Sequence, residues 1–278
     1  MPELPEVETV CRALRPVLES QTFIKIQCNR PDLRYPLPVN MENRLKQHTI
    51  KQVRRRAKYI LIDFEHGLTL LWHLGMSGHV LIESSKATPS QVGRHDHVIF
   101  TTSHHYKITF RDPRRFGFLL LKSTSLFENE PPFKLMGFEP LADFSLILSK
   151  FHASLKNRAI PLKSALLNQN IIAGIGNIYA SEALWQAKIS PFRLSHTLTL
   201  EETKILLEEI QDVLTRAIAA GGSTLRDHVQ PDGNTGYFQH SFRVYDRAHQ
   251  LCDHCRVTPL LKVIQNGRAT YYCAHCQC

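Results

Sequence analysis

The chain has 278 residues, 43% of them hydrophobic, which is enough for two soluble domains that each have a core. Its 34 Lys and Arg against 25 Asp and Glu give a net charge of +9 and a pI near 9.3. This excess indicates a polyanionic partner, without separating DNA, RNA and an anionic membrane surface. No apolar run approaches the ~18 residues of a membrane span, and no signal peptide opens the chain.

The chain begins with Pro2-Glu3, followed by a helical apolar period over residues 5–19. In bacteria a Met1 before a small residue is normally removed, which would leave a free secondary amine on Pro2. An α-amino group has a pKa of roughly 8, so much of it is neutral and nucleophilic near neutral pH. It could form a Schiff base at a sugar carbon, with Glu3 supplying a proton. The alternative is a stiff lead-in to a helix, and this stretch alone favours that alternative.

Short β-rich runs separated by turn residues predict an antiparallel sandwich from residue 23 to about 121. We place strands at residues 49–53, 59–64, 68–73, 79–83, 97–101, 106–110 and 118–121. The loops between them carry basic residues, a methionine and a phenylalanine that could be ordinary surface groups or DNA contacts. They are Lys58, His73, Met76, Arg114, Arg115 and Phe116.

Prolines and glycines between residues 123 and 150 indicate an interdomain linker with a little helix at its end, and residues 153–222 have a helical pattern. Asn177 opens a helix over 177–187, where backbone N–H groups suit a phosphate. Thr199 and Glu202 form a capping-box pattern before a helix that ends at Gly221-Gly222. Its predicted apolar face is formed by Ile205, Leu206, Ile210, Val213, Leu214 and Ala217. Residues 222–236 have the composition of a loop.

Two C-x-x-C pairs separated by 17 residues close the chain, at Cys252, Cys255, Cys273 and Cys276. This spacing is typical of a four-thiolate structural zinc site on a β-hairpin, over residues 260–272 here. A redox dithiol or disulfide pair is the alternative, and His254, His275 and Cys278 are close enough to be alternative ligands. The remaining Cys11, Cys28 and Cys278 have no evident partners, which favours a reducing cytoplasm. Asn266-Gly267 predicts the hairpin turn and places Arg268 at its tip.

These motifs together resemble the formamidopyrimidine-DNA glycosylase family, also called MutM, along essentially the whole chain. The resemblance rests on seven segments in family order: residues 1–9, 54–59, 73–78, 95–98, 112–117, 174–182 and the cysteine hairpin. It implies that Pro2 is the Schiff-base nucleophile, that Glu3 and Lys58 assist it, and that Arg268 binds phosphates and serves δ-elimination.

The resemblance also implies a set of DNA contacts. Met76, Arg114 and Phe116 would fill the gap left by a flipped base, with Arg114 facing the widowed base and Arg115 on phosphate. Lys163 and Asn177 would bind phosphates, His73 and His95 would be further DNA-binding residues, and the 222–236 loop would cover the damaged base. One departure is Ala159, where relatives often carry a basic residue that the neighbouring Arg158 could replace.

The expected architecture is α+β: an N-terminal antiparallel β-sandwich with a flanking helix, then a helix–two-turn–helix domain with a β-hairpin zinc finger. We expect a catalytic domain over 1–125, a linker over 126–150, a helical DNA-binding domain with the lesion loop over 151–237, and the zinc finger over 238–278. One structural Zn²⁺ is expected, with no nucleotide cofactor.

The expected activity is a bifunctional glycosylase and abasic-site lyase for 8-oxoguanine and formamidopyrimidines in damaged double-stranded DNA. We expect a bacterial, cytoplasmic, nucleoid-associated monomer that binds no membrane. The alternatives are an endonuclease VIII-like enzyme for oxidised pyrimidines, a non-catalytic zinc-dependent DNA-binding protein, and an RNA-binding zinc-ribbon protein. The residue 2–6 opening and the Arg114-Arg115-Phe116 loop favour the purine enzyme.

Overall fold

The computed structural model describes residues 1–84, 91–223 and 236–278. Contacts between residues divide the chain into two compact units. Unit 1 contains Met1–Lys134 and Ala220–Tyr237, and unit 2 contains Leu135–Ala219 and Phe238–Cys278. The four-segment division that we drew from the sequence stays a prediction.

Unit 1 begins with helix α1, Leu4–Leu18, which matches the predicted helix to within one residue at each end. Pro5 lies in its first turn, where a missing backbone N–H removes no helical hydrogen bond. Its apolar positions recur at helical spacing and are fully buried, and the helix packs on two strands of the second sheet described below. The N-terminal segment is therefore anchored in a core.

Among the described residues of unit 1, two four-stranded antiparallel sheets follow α1 and confirm the predicted sandwich. The strands are β1 Phe23–Cys28, β2 Ile50–Arg56, β3 Tyr59–Phe64, β4 Leu68–His73, β5 His79–Glu83, β6 Asp96–Thr102, β7 Lys107–Arg111 and β8 Phe118–Ser123. The first sheet has the order β1-β6-β7-β5 and the second the order β2-β3-β4-β8. A short helix α2, Met41–Leu45, precedes β2.

The core of unit 1 lies between the two sheets and under α1. Trp72 and Phe110 pack edge to face with ring centroids 5.0 Å apart, and both side chains are fully buried. Such a pair combines apolar burial with a favourable ring geometry. This core fixes the strand ends from which the site loops leave.

Unit 2 contains four α-helices and one hairpin. They are α3 Phe144–Lys156, α4 Leu162–Leu167, α5 Asn177–Gln186, α6 Leu200–Ala219, β9 Leu261–Gln265 and β10 Arg268–Tyr272. Asp143 caps α3, since its carboxylate accepts the backbone N–H groups of Ser145 and Leu146. Residue 150, the predicted end of the linker, therefore lies inside a helix.

Helix α6 begins at the predicted capping box: Thr199 Oγ1 accepts the N–H of Glu202, and Glu202 Oε2 accepts the N–H of Thr199. One prediction on this helix is wrong, because Ile205 is 38% exposed rather than on the buried face. Within the described ranges, every helix is too short or too polar to span a bilayer.

Candidate nucleic-acid interface and metal centre

Pro2 and Glu3 are buried at the start of α1, although Met1 before them is exposed. The backbone N–H of Glu3 donates to Glu6 Oε2 at 2.9 Å. The other oxygen, Glu6 Oε1, accepts the N–H and the hydroxyl of Ser223 at 2.8 and 3.0 Å. The buried Glu6 carboxylate thus holds both Glu3, a candidate catalytic residue, and Ser223, which directly precedes residues 224–235.

The contacts of α1 with β2 show where this end of the chain lies. Arg15 donates to the carbonyl of Val53 at 3.0 Å, and Glu8 pairs with Arg55 at 3.1 Å. Going back from residue 8 to residue 3 covers about 7.5 Å of helix, while two residues beyond Arg55 cover about 7 Å of strand. The N-terminal dipeptide therefore lies at the end of the sheet where the β2–β3 turn carries Lys58.

Lys58, His73 and Phe118 meet at this edge of the second sheet. Lys58 follows Ala57, which has a positive φ of 52°, and is only 6% exposed. Tyr59 pairs in register with His73, and His73 with Phe118. The rings of His73 and Phe118 stack with centroids 5.0 Å apart.

His73 is held neutral at this edge. Burial, together with the positive charges of Lys58 and Arg34, lowers the pKa of His73 to about 4. Its Nδ1 accepts the backbone N–H of Gly75 at 3.0 Å, so the proton of the neutral ring is on Nε2. His73 can therefore offer a phosphate a hydrogen-bond donor but not a full charge.

Two loops leave the same edge and present the predicted wedge residues. Met76 is 40% exposed in the loop after β4, and Phe116 is 43% exposed in the loop before β8. The guanidinium carbon of Arg114 lies 5.1 Å from the centroid of the Phe116 ring. Exposed apolar side chains beside an arginine suit insertion between bases. We call these loops, residues 74–78 and 112–117, the wedge loops.

Of the two other predicted DNA contacts of unit 1, Arg115 lies within the second wedge loop and His95 lies beside it. Arg115 is exposed and has a positive φ of 59°. His95 is partly buried, and its carbonyl accepts the backbone N–H of Asp112 at 3.0 Å. Most of the predicted base-covering loop, residues 224–235, lies outside the described residues.

In unit 2, Arg268 is exposed at the hairpin tip, after Asn266 and Gly267 with positive φ values of 49° and 73°. Lys163 is buried instead: its Nζ donates to the carbonyl of Ala269 at 2.7 Å and to Thr270 Oγ1 at 2.8 Å. Asn177 Nδ2 donates to the same Ala269 carbonyl at 2.9 Å.

Lys163 and Asn177 therefore support the strand next to Arg268, and their phosphate contacts stay predictions. Arg158, which we suggested as a substitute for a basic residue at 159, donates to the carbonyl of Ser154 at 2.7 Å.

The four predicted cysteines form one cluster, with all sulfur atoms within 4.8 Å of one another. Cys252 and Cys276 are 3.9 Å apart at sulfur, as are Cys255 and Cys273. Sulfurs bonded tetrahedrally to one metal at about 2.3 Å lie roughly 3.8 Å apart, whereas a disulfide needs about 2.05 Å. The arrangement fits a tetrahedral metal site, and among the described residues His275 and Cys278 are not part of it.

Helix α5 links this cluster to the rest of unit 2. Trp185 Nε1 donates to Cys252 Sγ at 3.3 Å, and its indole stacks on His254 with centroids 3.8 Å apart. Glu182 accepts three consecutive backbone N–H groups, from Arg243, Val244 and Tyr245, at 2.8–3.0 Å. Burial raises the pKa of Glu182, while these three donors oppose that rise.

Comparison with known proteins connects both regions to one family. The profile of the formamidopyrimidine-DNA glycosylase N-terminal domain matches residues 1–119, and that of the formamidopyrimidine-DNA glycosylase H2TH domain matches residues 136–229. The chain belongs to the formamidopyrimidine-DNA glycosylase family. Two proteins named formamidopyrimidine-DNA glycosylase, from Jannaschia sp. and Agrobacterium fabrum, are 46% and 45% identical to this chain. Each comparison covers the full length of both proteins.

Solved structures of this glycosylase family share the fold as well. The MutM protein of Thermus thermophilus has a TM-score of 0.87 at 38% identity, with 99% of this chain and 98% of that chain covered. A Lactococcus lactis Fpg solved with DNA containing N7-benzyl-Fapy-dG has a TM-score of 0.86 at 31% identity, with 99% of each chain covered.

Sequence reasoning missed several supporting residues of this glycosylase: Glu6, Ser77, Asp112, Glu182 and Trp185. Glu6 could have been found, since it stands three residues after Glu3 as in a capping box. The other four act through contacts between distant segments, for which the sequence has no local signal.

Proposed function

We propose that the protein is a bifunctional DNA glycosylase and abasic-site lyase that removes oxidised purines, with the amine of Pro2 as nucleophile. The observation that carries the proposal is the buried Pro2-Glu3 dipeptide, held by Glu6 at the sheet end that bears Lys58. A nucleophile must be held at a fixed place to act. Family membership over the full length of the relatives supports the same activity.

The chemistry requires removal of Met1, because Pro2 is otherwise a tertiary amide without a lone pair to share. The free amine forms a bond to C1′ as the bond from C1′ to the damaged base breaks. The departing base takes up a proton as the amine loses one, Glu3 gives a proton to O4′ as the sugar opens, and the lone pair on the Pro2 nitrogen then forms an iminium with C1′. The iminium makes the proton on C2′ acidic, and loss of this C2′ proton expels the 3′ phosphate. A second elimination across C4′ and C5′ expels the 5′ phosphate, and water releases Pro2.

The remaining predicted residues handle the DNA in this proposal. Met76, Arg114 and Phe116 fill the space of the flipped nucleotide, which a duplex otherwise keeps stacked. Neutral His73 donates to a phosphate, and Arg115, His95, Lys163 and Asn177 stay proposed backbone contacts. Lys58 assists base removal or β-elimination, and Arg268 serves the δ-elimination step.

We propose that the metal of the four-cysteine cluster is one structural Zn²⁺. Four thiolates fill a tetrahedral zinc site and leave no position for water, which is typical of structural sites. Bound zinc would hold together the two ends of the hairpin that carries Arg268. With DNA as its partner, we place the protein in the bacterial cytoplasm on the nucleoid.

The test is to trap the protein with borohydride on a duplex that pairs 8-oxoguanine with cytosine, and to find the cross-link by mass spectrometry. We expect a reduced adduct on Pro2, released base and a strand cut on both sides of the lesion. The matched control is the same chain with Met1 retained and one further residue ahead of it. The Pro2 nitrogen is then held in a peptide bond, so this chain should give no adduct.

Two outcomes would contradict the proposal. Base release without an adduct would mean a glycosylase that does not use Pro2. Binding of duplex with neither release nor adduct would favour a non-catalytic DNA-binding protein. A parallel duplex with thymine glycol separates the oxidised-pyrimidine alternative, because stronger cleavage there than at 8-oxoguanine would reverse the substrate assignment.

A further inference from the structure

The wedge loops stand on a buried polar pair, Ser77 and Asp112. Ser77 is 3% exposed and Asp112 is fully buried. The Ser77 hydroxyl donates to Asp112 Oδ1 at 2.6 Å and accepts the backbone N–H of Arg114 at 3.1 Å. The second carboxylate oxygen of Asp112 accepts the backbone N–H of Gly117 at 2.8 Å. Two side chains thus join the loop of Met76 to the loop of Arg114 and Phe116.

Asp112 is itself held by a third segment. Its N–H donates to the carbonyl of His95 at 3.0 Å, and its carbonyl accepts His97 Nε2 at 2.8 Å. A buried carboxylate whose oxygens and backbone are all hydrogen-bonded has one favourable position. The Ser77–Asp112 pair is therefore a rigid support for the two loops rather than a mobile surface contact.

The backbones of the wedge loops also touch each other. A Cβ built on Gly75 would lie 2.3 Å from the backbone nitrogen of Gly117, so this approach needs a glycine. A Cβ on Gly78 or on Gly117 would lie 2.8 or 2.5 Å from the buried ring of Phe110. The two loops cannot shift independently without breaking these contacts.

We propose that Ser77 and Asp112 are positioning residues that fix the spacing of Met76, Arg114 and Phe116 before DNA binds. This inference rests on the proposed function, in which these three side chains replace a flipped nucleotide. Insertion already has to unstack a base pair. If the loops also had to become ordered in the same step, insertion would be weakened further. The preformed Ser77–Asp112 support avoids this loss.

The test compares S77A and D112N with the native protein on two substrates. Excision from a duplex with 8-oxoguanine needs wedge insertion, whereas strand cleavage at an abasic site in single-stranded DNA needs Pro2 but no unstacking. S77A removes the donor to Asp112 and the acceptor of the Arg114 N–H. D112N places an amide N–H₂ against one of its two donors.

The matched control is S195A. Ser195 is a fully buried serine of unit 2 whose hydroxyl donates to the carbonyl of Arg158 at 2.6 Å. Melting temperatures of all variants identify any that fail to fold, and S77A, which removes one atom, keeps the test valid if D112N does not fold.

We expect both variants to lose roughly tenfold or more in single-turnover excision from the duplex, since small misplacements of positioned groups have effects of this size. The fluorescence rise of 2-aminopurine opposite the lesion should slow in parallel. Cleavage at the single-stranded abasic site should stay within about twofold of the native rate, which a general folding defect would not allow.

If S77A matched S195A on the duplex, or lost activity equally on both substrates, the positioning role would be overturned. If the native protein cleaved neither substrate, the proposed function would fail first, and the inference would fall with it. Activity of the native protein on both substrates therefore separates the two failures.

Discussion

The wedge loops of unit 1 and the hairpin of unit 2 both present exposed side chains, but they are supported in different ways. The wedge loops leave a sandwich in which aromatic side chains such as Trp72 and Phe110 are fully buried. The hairpin packs on a small cluster formed by Trp185, Val244, Leu260, Tyr271 and two of the cysteines. A core of that size is too small to hold a fold alone.

Polar contacts supplement this small cluster around the hairpin. Glu182 holds three backbone N–H groups before the hairpin, and Lys163 and Asn177 share the Ala269 carbonyl next to Arg268. If one partner of such a hydrogen bond is lost, the buried polar group that remains is left unsatisfied, which destabilises the fold. The position of Arg268 therefore depends on a few side chains and the cysteine cluster, whereas the polar pair that positions the wedge residues stands on a large apolar core.

Removal of the proposed zinc should have the largest effect, and it should affect the hairpin alone. Binding of a structural zinc supplies on the order of 10 kcal/mol to a small domain, so C252A, or treatment with a chelator, should unfold the hairpin. Strand cleavage should fall to background while the unfolding transition of unit 1 is unchanged. Zinc content, calorimetry and cleavage of the 8-oxoguanine duplex are the measurements.

The matched control for the metal is C278S, because Cys278 is exposed and lies outside the four-sulfur cluster. It should keep one zinc per chain and full activity. Loss of zinc from C278S, or unchanged cleavage by C252A, would contradict the assignment of the ligands.

A pair of glycines in unit 1 tests the packing of the wedge loops. Gly67 and Gly75 both have positive φ values, 85° and 67°, but a Cβ on Gly67 meets nothing within 4 Å. G67A should therefore lose only the cost of the left-handed backbone, about 1–2 kcal/mol. G75A bears the same backbone cost and also forces the wedge loops apart, so its loss of unfolding free energy should be clearly larger.

Urea unfolding gives the two free energies, and a duplex-binding titration follows the wedge. Equal losses for G67A and G75A would show that the loops separate easily and are not packed as one unit. G75A should also weaken binding to a lesion duplex, whereas G67A should not.

The sequence predicted the elements whose signal is local. Strands β3, β4 and β5 have the predicted bounds, because short β-rich runs end at turn residues there. It did not predict α2, which has five residues, and it predicted a little helix at the end of the linker without the full extent of α3, Phe144–Lys156. Short helices are stabilised by tertiary packing rather than by their own residues, so their sequence signal is weak.

For the site, motifs predicted which residues would carry the chemistry but not which residues hold them in place. The burial of Lys163 was not predictable, because its two acceptors lie more than 100 residues away along the chain. Ser77 and Asp112 are 35 residues apart and meet only through the strand order. Contacts of this kind follow from the fold and cannot be inferred from spacing.

The smallest expected effect concerns His73, at the sheet edge beside the wedge. Its pKa is about 4 in the folded chain against an ordinary value of 6.5. Below pH 6.5 the unfolded chain therefore takes up a proton that the folded chain refuses until about pH 4, so stability falls as the pH is lowered through this window. Below the folded pKa both states are protonated and this contribution stops changing.

The variant H73N keeps an acceptor for the Gly75 N–H but does not titrate. Urea unfolding between about pH 7 and about pH 5 should show a shallower fall for H73N, by at most about 1.4 kcal/mol per pH unit. Burial also lowers the pKa of His79, which contributes to the slope of both proteins and cancels in their difference. Identical slopes would mean that the pKa of His73 is the same in the folded and the unfolded chain, so that the ring becomes charged below its ordinary value of 6.5 and is not held neutral by its surroundings.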